Sequence, residues 1–210
     1  MTPIPLAQDS GFQIAYSSSM RKLANGLSAF DSASKCLNVI VETPKGSRHK
    51  YAYLPEAKLL ELKRALPAGL VFPFNFGAIP STLAPDGDPL DILILNQEPL
   101  TPGCLVKARL LGVLEAEQTE GGQTTRNDRL IGVAVTEQAP SELEGIELDK
   151  RVLAQIKHFF VSYNELNGKK FKILGKAGPK KAKAWSEKPA VNMKKRQESI
   201  VSSMCAASKV

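Results

Sequence analysis

The chain is short of several things, and each shortage closes off a class of function. Its three cysteines, Cys36, Cys104 and Cys205, form no C-x-x-C pair and are odd in number. They describe free thiols in a reducing compartment rather than a disulfide framework, and they exclude zinc-finger chemistry. There are two histidines, and neither has partners at metal spacing: His49 opens a strand-like run, and His158 lies off the apolar stripe of a helical segment. No stretch approaches the roughly 18 consecutive apolar residues that a membrane-spanning helix needs. The first residues lack the basic and apolar regions of a secretory signal.

Acidic and basic groups balance over most of the chain. From Lys176 onward nine Lys/Arg face only Glu187 and Glu198, so the tail holds the whole net charge of +7 and the preceding 175 residues are neutral. A basic tail can meet nucleic acid or an acidic partner by non-specific electrostatics, although a solvated tail with no dedicated partner is the simpler reading. A nucleic-acid-binding barrel is disfavoured by the neutral core and by the lack of a stacking-aromatic pattern. Residues 1–35 are Ser-rich, with Ser17, Ser18 and Ser19 in a row. Asp9, Asp31 and scarce arginine argue against an organelle transit peptide, so a flexible extension is expected, with organellar targeting as its alternative.

What is present suits one sizeable domain: 43% hydrophobic and 23% charged residues over 210 positions. The expected division is a flexible extension over 1–35, a barrel domain over 36–190 and a basic tail over 191–210. "NVIVETP" (38–44) is a β-branched run stopped by Pro44, and "HKYAYL" (49–54) alternates after "PKGSR", which predicts a hairpin. "EAKLLELKRALPAG" (56–69) predicts a short helix broken by Pro67 and Gly69. "DILIL" (91–95) is a continuous apolar strand, as burial on both faces requires. "CLVKARLLGVLEAEQ" (104–118) and "RLIGVAVTE" (129–137) read as two long paired strands, separated by the polar loop 119–128. Leu148, Val152, Ile156, Phe159, Phe160 and Tyr163 recur at helical spacing over 147–166, and "KKFKIL" (169–174) predicts a last strand. The fold class expected is mainly β (α+β): a small antiparallel barrel with flanking helices.

The segment "LAPDGDPLDILIL" (83–95) places Asp86, Asp88 and Asp91 directly before the apolar strand. Asp and Gly are common turn formers, and a plain turn accounts for "PDGDP" on composition. A calcium-binding EF-hand loop fails, because Pro89 breaks the pattern and the twelfth position is Gln97. Two unit charges about 4 Å apart repel by about 4 kcal/mol at an effective dielectric near 20, so a carboxylate cluster at a barrel mouth calls for hard cations. All-oxygen donors without convergent histidines point to Mg²⁺ or Mn²⁺, which hold waters and favour phosphate oxygens as further ligands. Lys50 and Arg64, upstream, are cations able to meet a polyanion.

Glu42 in "VIVETP", Lys50 in "HKYAYL" and Arg64 in "ELKRAL" are followed by "LVFPFNFGAIPSTLAPDGDPLDILIL", "PLTPGCLVKARLLGVLE" and "AQIKHFFVSYNELNGKKFKILG". In this order the motifs resemble the soluble family I inorganic pyrophosphatases over roughly residues 37–190. The resemblance implies a five-stranded, OB-like barrel with helices around it, hydrolysis of pyrophosphate to two phosphates with several Mg²⁺ ions, and a homo-oligomer in the cytoplasm. It implies Asp86 and Asp91 as primary metal ligands, Asp88 as general base, and Glu42 reaching outer metals through water. Lys50, Arg64 and Arg129 would hold phosphate oxygens, and Tyr163 would donate a hydrogen bond to one of them.

The departures thin the outer half of that cage. Ala52 stands where the pattern has a glutamate, and Phe72 and Phe76 stand where it has tyrosines. Two expected aspartates fall at Gln118 and Asn127, in a loop lengthened by about five residues; Arg129 replaces a lysine and Asn164 another. Asp128 is a neighbouring carboxylate that replaces the missing one only if a bulge or an altered loop turns it inward. Two readings follow: a pyrophosphatase of reduced activity, or a degenerate relative serving as a structural subunit or phosphate-ligand binder.

Overall fold

The computed structural model describes residues 27–54, 57, 59–85, 88–136 and 148–186. Asp86, most of the N-terminal extension and the basic tail over 191–210 lie outside the described residues. The strands are β1 Leu37–Thr43, β2 His49–Leu54, β3 Leu59–Ala65, β4 Asn75–Ala78, β5 Asp91–Ile94, β6 Leu105–Glu120, β7 Gln123–Arg126, β8 Arg129–Val135 and β9 Lys170–Ala177. Two helices join them, α1 Lys150–Glu165 and α2 Pro179–Ser186.

β1, β4, β5, β8 and β6 pair in that order, and β6 pairs back to β1, which closes a ring of five strands. This bears out the expected mainly β architecture, with one addition: β5 and β8 run parallel. Parallel neighbours need a long crossover, and here the excursion through β6 and β7 supplies it. The 16 residues of β6 serve β1, β8, β9 and β7 in succession.

The two faces of the ring strands feed two apolar clusters, as a two-residue side-chain period demands. Ile92, Ile94, Val113 and Leu130 join Val39, Val41 and Ile79 in one. Leu93, Leu114 and Ile131 join the other, which is rich in rings: Phe72, Phe76, Phe159, Phe160 and Phe171. The predicted helix is α1, capped by Asp149, whose carboxylate accepts from Val152 N at 2.7 Å. Its buried stripe of Leu153, Ile156, Phe159 and Phe160 packs onto the aromatic cluster. Where β4 crosses β1, a Cβ on Gly77 would sit 2.4 Å from the Ile40 carbonyl oxygen, so only glycine allows the approach.

Three local expectations are corrected. The segment read as a short helix is the strand β3, paired along its length with β2. A helix that short lacks the propagated hydrogen bonds to offset its nucleation, whereas the strand gains a partner for its backbone. β2 therefore forms no ladder with β1. Instead Thr43 Oγ1 accepts from Tyr51 N at 3.0 Å and Glu42 Oε1 accepts from Tyr53 N at 3.1 Å, so two side chains tie the strands together. Residues 119–128 are not a loop: β6 runs on to Glu120, turns at Gly121 and Gly122, both at positive φ, and returns as β7. Two glycines at positive φ are what a tight hairpin turn asks for.

Candidate active site

Asp91 is the first residue of β5 and Arg129 the first of β8. The parallel register, Ile92 against Leu130, sets them side by side at one end of the sheet. Both lie on the aromatic face, because Leu93 and Ile131, two residues on, belong to that cluster. Arg129 Nη1 is 2.6 Å from Asp91 Oδ2. The same nitrogen donates to Asn127 Oδ1 and, at 3.2 Å, to the Asp128 carbonyl. Asn127 Nδ2 in turn donates to Gln118 Oε1 at 3.1 Å. The Arg129 guanidinium centre lies 5.3 Å from the Phe160 ring centroid and 6.0 Å from that of Phe76. Its Nε is buried with no acceptor among the described residues.

On the other side of Asp91 are Glu42, Asp88 and Lys50. Glu42, at the end of β1, is 8% exposed. Its carboxyl is pushed up to about 7, first by burial and further by Asp91 and Asp88, against the Tyr53 N–H and Lys50. The Asp88 carboxyl is also raised, by loss of surrounding water and by Asp91, with Lys50, Lys63 and Arg129 opposing. Asp88 belongs to a residue that is still open to solvent. Lys50 lies 5.1 Å from the Phe76 ring centroid, so one ring faces both Lys50 and Arg129.

Lys50 pairs across β2–β3 with Arg64. Arg64 Nη1 donates to Asn167 Oδ1 at 2.5 Å, and its guanidinium sits 5.9 Å from the Tyr163 ring. Asn167 Nδ2 donates to the Tyr163 carbonyl. Tyr163 stacks on Phe159 and touches Phe72, so the aromatic cluster links it back to Phe76. Phe72 and Phe76 are 1% and 2% exposed; lacking hydroxyls, they serve here as packed rings.

Asp128 has other partners. Its Oδ1 accepts from Arg126 Nε at 2.6 Å and from Ala116 N at 2.9 Å, and its Oδ2 is buried without a donor among the described residues. Arg126 also reaches Glu115 at 3.0 Å, and Lys181 of α2 meets the same Glu115 oxygen at 2.8 Å. Consecutive residues thus divide: Asn127 turns to Asp91's partner Arg129, and Asp128 turns to Arg126. Among the described residues no three carboxylates converge on a single metal-sized point; Asp86 lies outside them.

Several neighbours escaped the reading of the sequence. Lys63 bears on Asp88 because a bulge between Lys50 and Tyr51 in the β2–β3 register sets it off from Arg64. Reading 59–65 as helix hid this; the near-alternation of "LLELKRA" was the available signal. Gln118 and Asn127 were recognised as losses, but not as a bonded pair presenting an amide oxygen to a guanidinium. Phe160 was read only as part of the helical apolar stripe and Asn167 not at all, since both reach the site across long sequence separations.

A family model described as inorganic pyrophosphatase matches residues 39–194. The inorganic pyrophosphatase of Thermus thermophilus is 38% identical over 155 residues, covering 73% of this chain and 86% of that protein. That of Nanoarchaeum equitans is 39% identical over 160 residues, 74% of this chain and 96% of its own length. A crystal structure of the Thermus thermophilus enzyme superposes with a TM-score of 0.71 at 34% identity, covering 82% of this chain and 99% of that one. Matched by the family model over residues 39–194 and 38–39% identical to these relatives over 73–74% of its length, the chain belongs to the inorganic pyrophosphatase family.

Proposed function

We propose that the chain hydrolyses inorganic pyrophosphate to two orthophosphates, with Mg²⁺ as the working cation and Mn²⁺ able to replace it. The observation that carries this reading is that Glu42, Asp88 and Asp91 act on one another's charge beside Lys50 and Arg129, both of which lie over the Phe76 ring, in a chain of this family. The donor set fits a hard cation on one side. Glu42 and Asp88 are oxygen donors whose ionised forms are disfavoured by loss of water and by neighbouring aspartates, and a nearby dication relieves both. Asp86 and Asp91 are the proposed direct ligands, with Glu42 acting through water. Asp128, held by Arg126, is left out of the set.

A bound dication supplies charge neutralisation at phosphate oxygens and lowers the pKa of water beside it. Asp88 takes a proton from the attacking water, and its raised pKa brings it closer to the working range of a general base. Lys50 and Arg64, facing each other across β2–β3, hold phosphate oxygens, and Tyr163 beside Arg64 donates to another. Arg129, paired with Asp91, contributes its positive charge to the phosphate side of the site, while its Nε stays buried. Charged donors aimed at developing phosphate charge are the main source of rate in such reactions.

Like the family it belongs to, the chain is read as a homo-oligomer, and the free thiols Cys36 and Cys104 accord with the cytoplasm. Among the described residues no helix is long and apolar enough to cross a membrane. The second reading, a degenerate subunit or phosphate binder, draws on Ala52, Phe72, Phe76, Gln118, Asn127 and Asn164. One assay separates the two: phosphate release from pyrophosphate with Mg²⁺, by wild type beside Asp88→Asn. Turnover by wild type that Asp88→Asn loses supports the enzyme; equal inertness of both overturns it.

A further inference from the structure

We propose that Arg129 is a built-in cation of this site: its guanidinium permanently fills the position between Asp91 and Asn127, so the protein loads fewer dications than a fully carboxylate cage would. The inference rests on the pyrophosphatase reading of the same site and deepens it. One nitrogen, Nη1, meets Asp91 Oδ2 at 2.6 Å and also the side-chain oxygen of Asn127. That oxygen cannot turn to another ligand without cost. Rotating the amide would set an NH₂ against the guanidinium and break the 3.1 Å bond to Gln118.

Packing keeps the charge where it is. The Arg129 side chain is 9% exposed and lies against Phe76 and Phe160, so leaving would open the aromatic cluster. The guanidinium is a planar, fixed positive group packed against two rings, not a mobile counter-ion. A dication brought beside Asn127 meets a like charge and two neutral amides, where the family pattern has two aspartates. The two anions of the family pattern are gone while its cation, here an arginine in place of a lysine, stays paired with Asp91.

The test is Mn²⁺ binding to the full chain by titration calorimetry, without pyrophosphate. Asn127→Asp alone is expected to change Mn²⁺ affinity by less than about threefold, because the new carboxylate goes to the guanidinium. Combined with Arg129→Gln it should tighten binding by about tenfold or more. Arg129→Lys, which keeps the charge, should stay with wild type. A tenfold gain from Asn127→Asp alone overturns the proposal, and this near-isosteric variant decides the matter even if the double variant does not fold. Wild-type protein that binds Mn²⁺ while Asn127→Asp tightens it sinks only the built-in cation. Wild-type protein that neither takes up Mn²⁺ nor releases phosphate sinks the pyrophosphatase reading, and the built-in cation with it.

Discussion

Asp91 divides its surroundings into two unlike halves. On one side Glu42 and Asp88 are carboxylates whose charge is disfavoured by loss of water and by the aspartates beside them. On the other side Gln118 and Asn127 are neutral and Arg129 supplies a fixed positive charge. Both halves face the same electrostatic problem, negative charge gathered around Asp91. One half leaves the answer to a proton or an external ion and so must respond to pH and metal. The other answers it with a covalently attached cation and must not.

The largest break in this comparison is Asp88→Asn. Loss of the general base should lower phosphate release by about 10²–10⁴-fold, measured at saturating Mg²⁺, with little effect on folding.

Glu42→Gln comes next and acts on stability. Between the ordinary value of 4.5 and about 7 the folded chain keeps a proton that the unfolded chain has released. Metal-free stability therefore falls as pH rises through that window, by about 3 kcal/mol in all. In the glutamine variant most of that decline should be lost, Asp88's own being left, so that it is more stable than wild type at pH 8 in metal-free urea melts. Added Mg²⁺ should stabilise wild type more at pH 8 than at pH 5, since only the ionised form attracts it. A wild-type melt flat with pH would refute the assignment.

Asp128→Asn sharpens the boundary from outside. It keeps an acceptor for Ala116 N but loses the charge facing Arg126, a cost of about 1–2 kcal/mol. Mn²⁺ affinity should stay within about twofold. A tenfold weakening would instead place Asp128 among the ligands.

The smallest effect is expected of Lys63→Met. Lys63 holds the Asp88 carboxyl down against burial and Asp91. Its removal should move the acidic limb of the pH–rate profile upward by about a few tenths of a unit.

The sites that read well from sequence were those whose chemistry is local. Asp88 and Asp91 stand within four residues of each other ahead of an apolar run, and the α1 stripe repeats at helical spacing inside one segment. The β1–β2 and β3 readings failed because a short amphipathic stretch satisfies its backbone equally well in a helix or a ladder until a partner strand is available. The facing of Asn127 and Asp128 could be posed as a question, since alternation sends neighbours to opposite faces, but not answered without the register of β6 with β7 and β8.

By itself, then, the order of residues determined a mainly β domain with one long helix and an acidic doorstep to a buried strand. Only the tertiary structure decided that β5 and β8 run parallel, and with it that Asp91 and Arg129 start side by side and close a 2.6 Å pair across 38 positions of chain. The reason is physical. Side-chain chemistry and periodicity are properties of a segment, whereas the neutralisation of a buried charge depends on which distant segment the closing ring of strands brings against it.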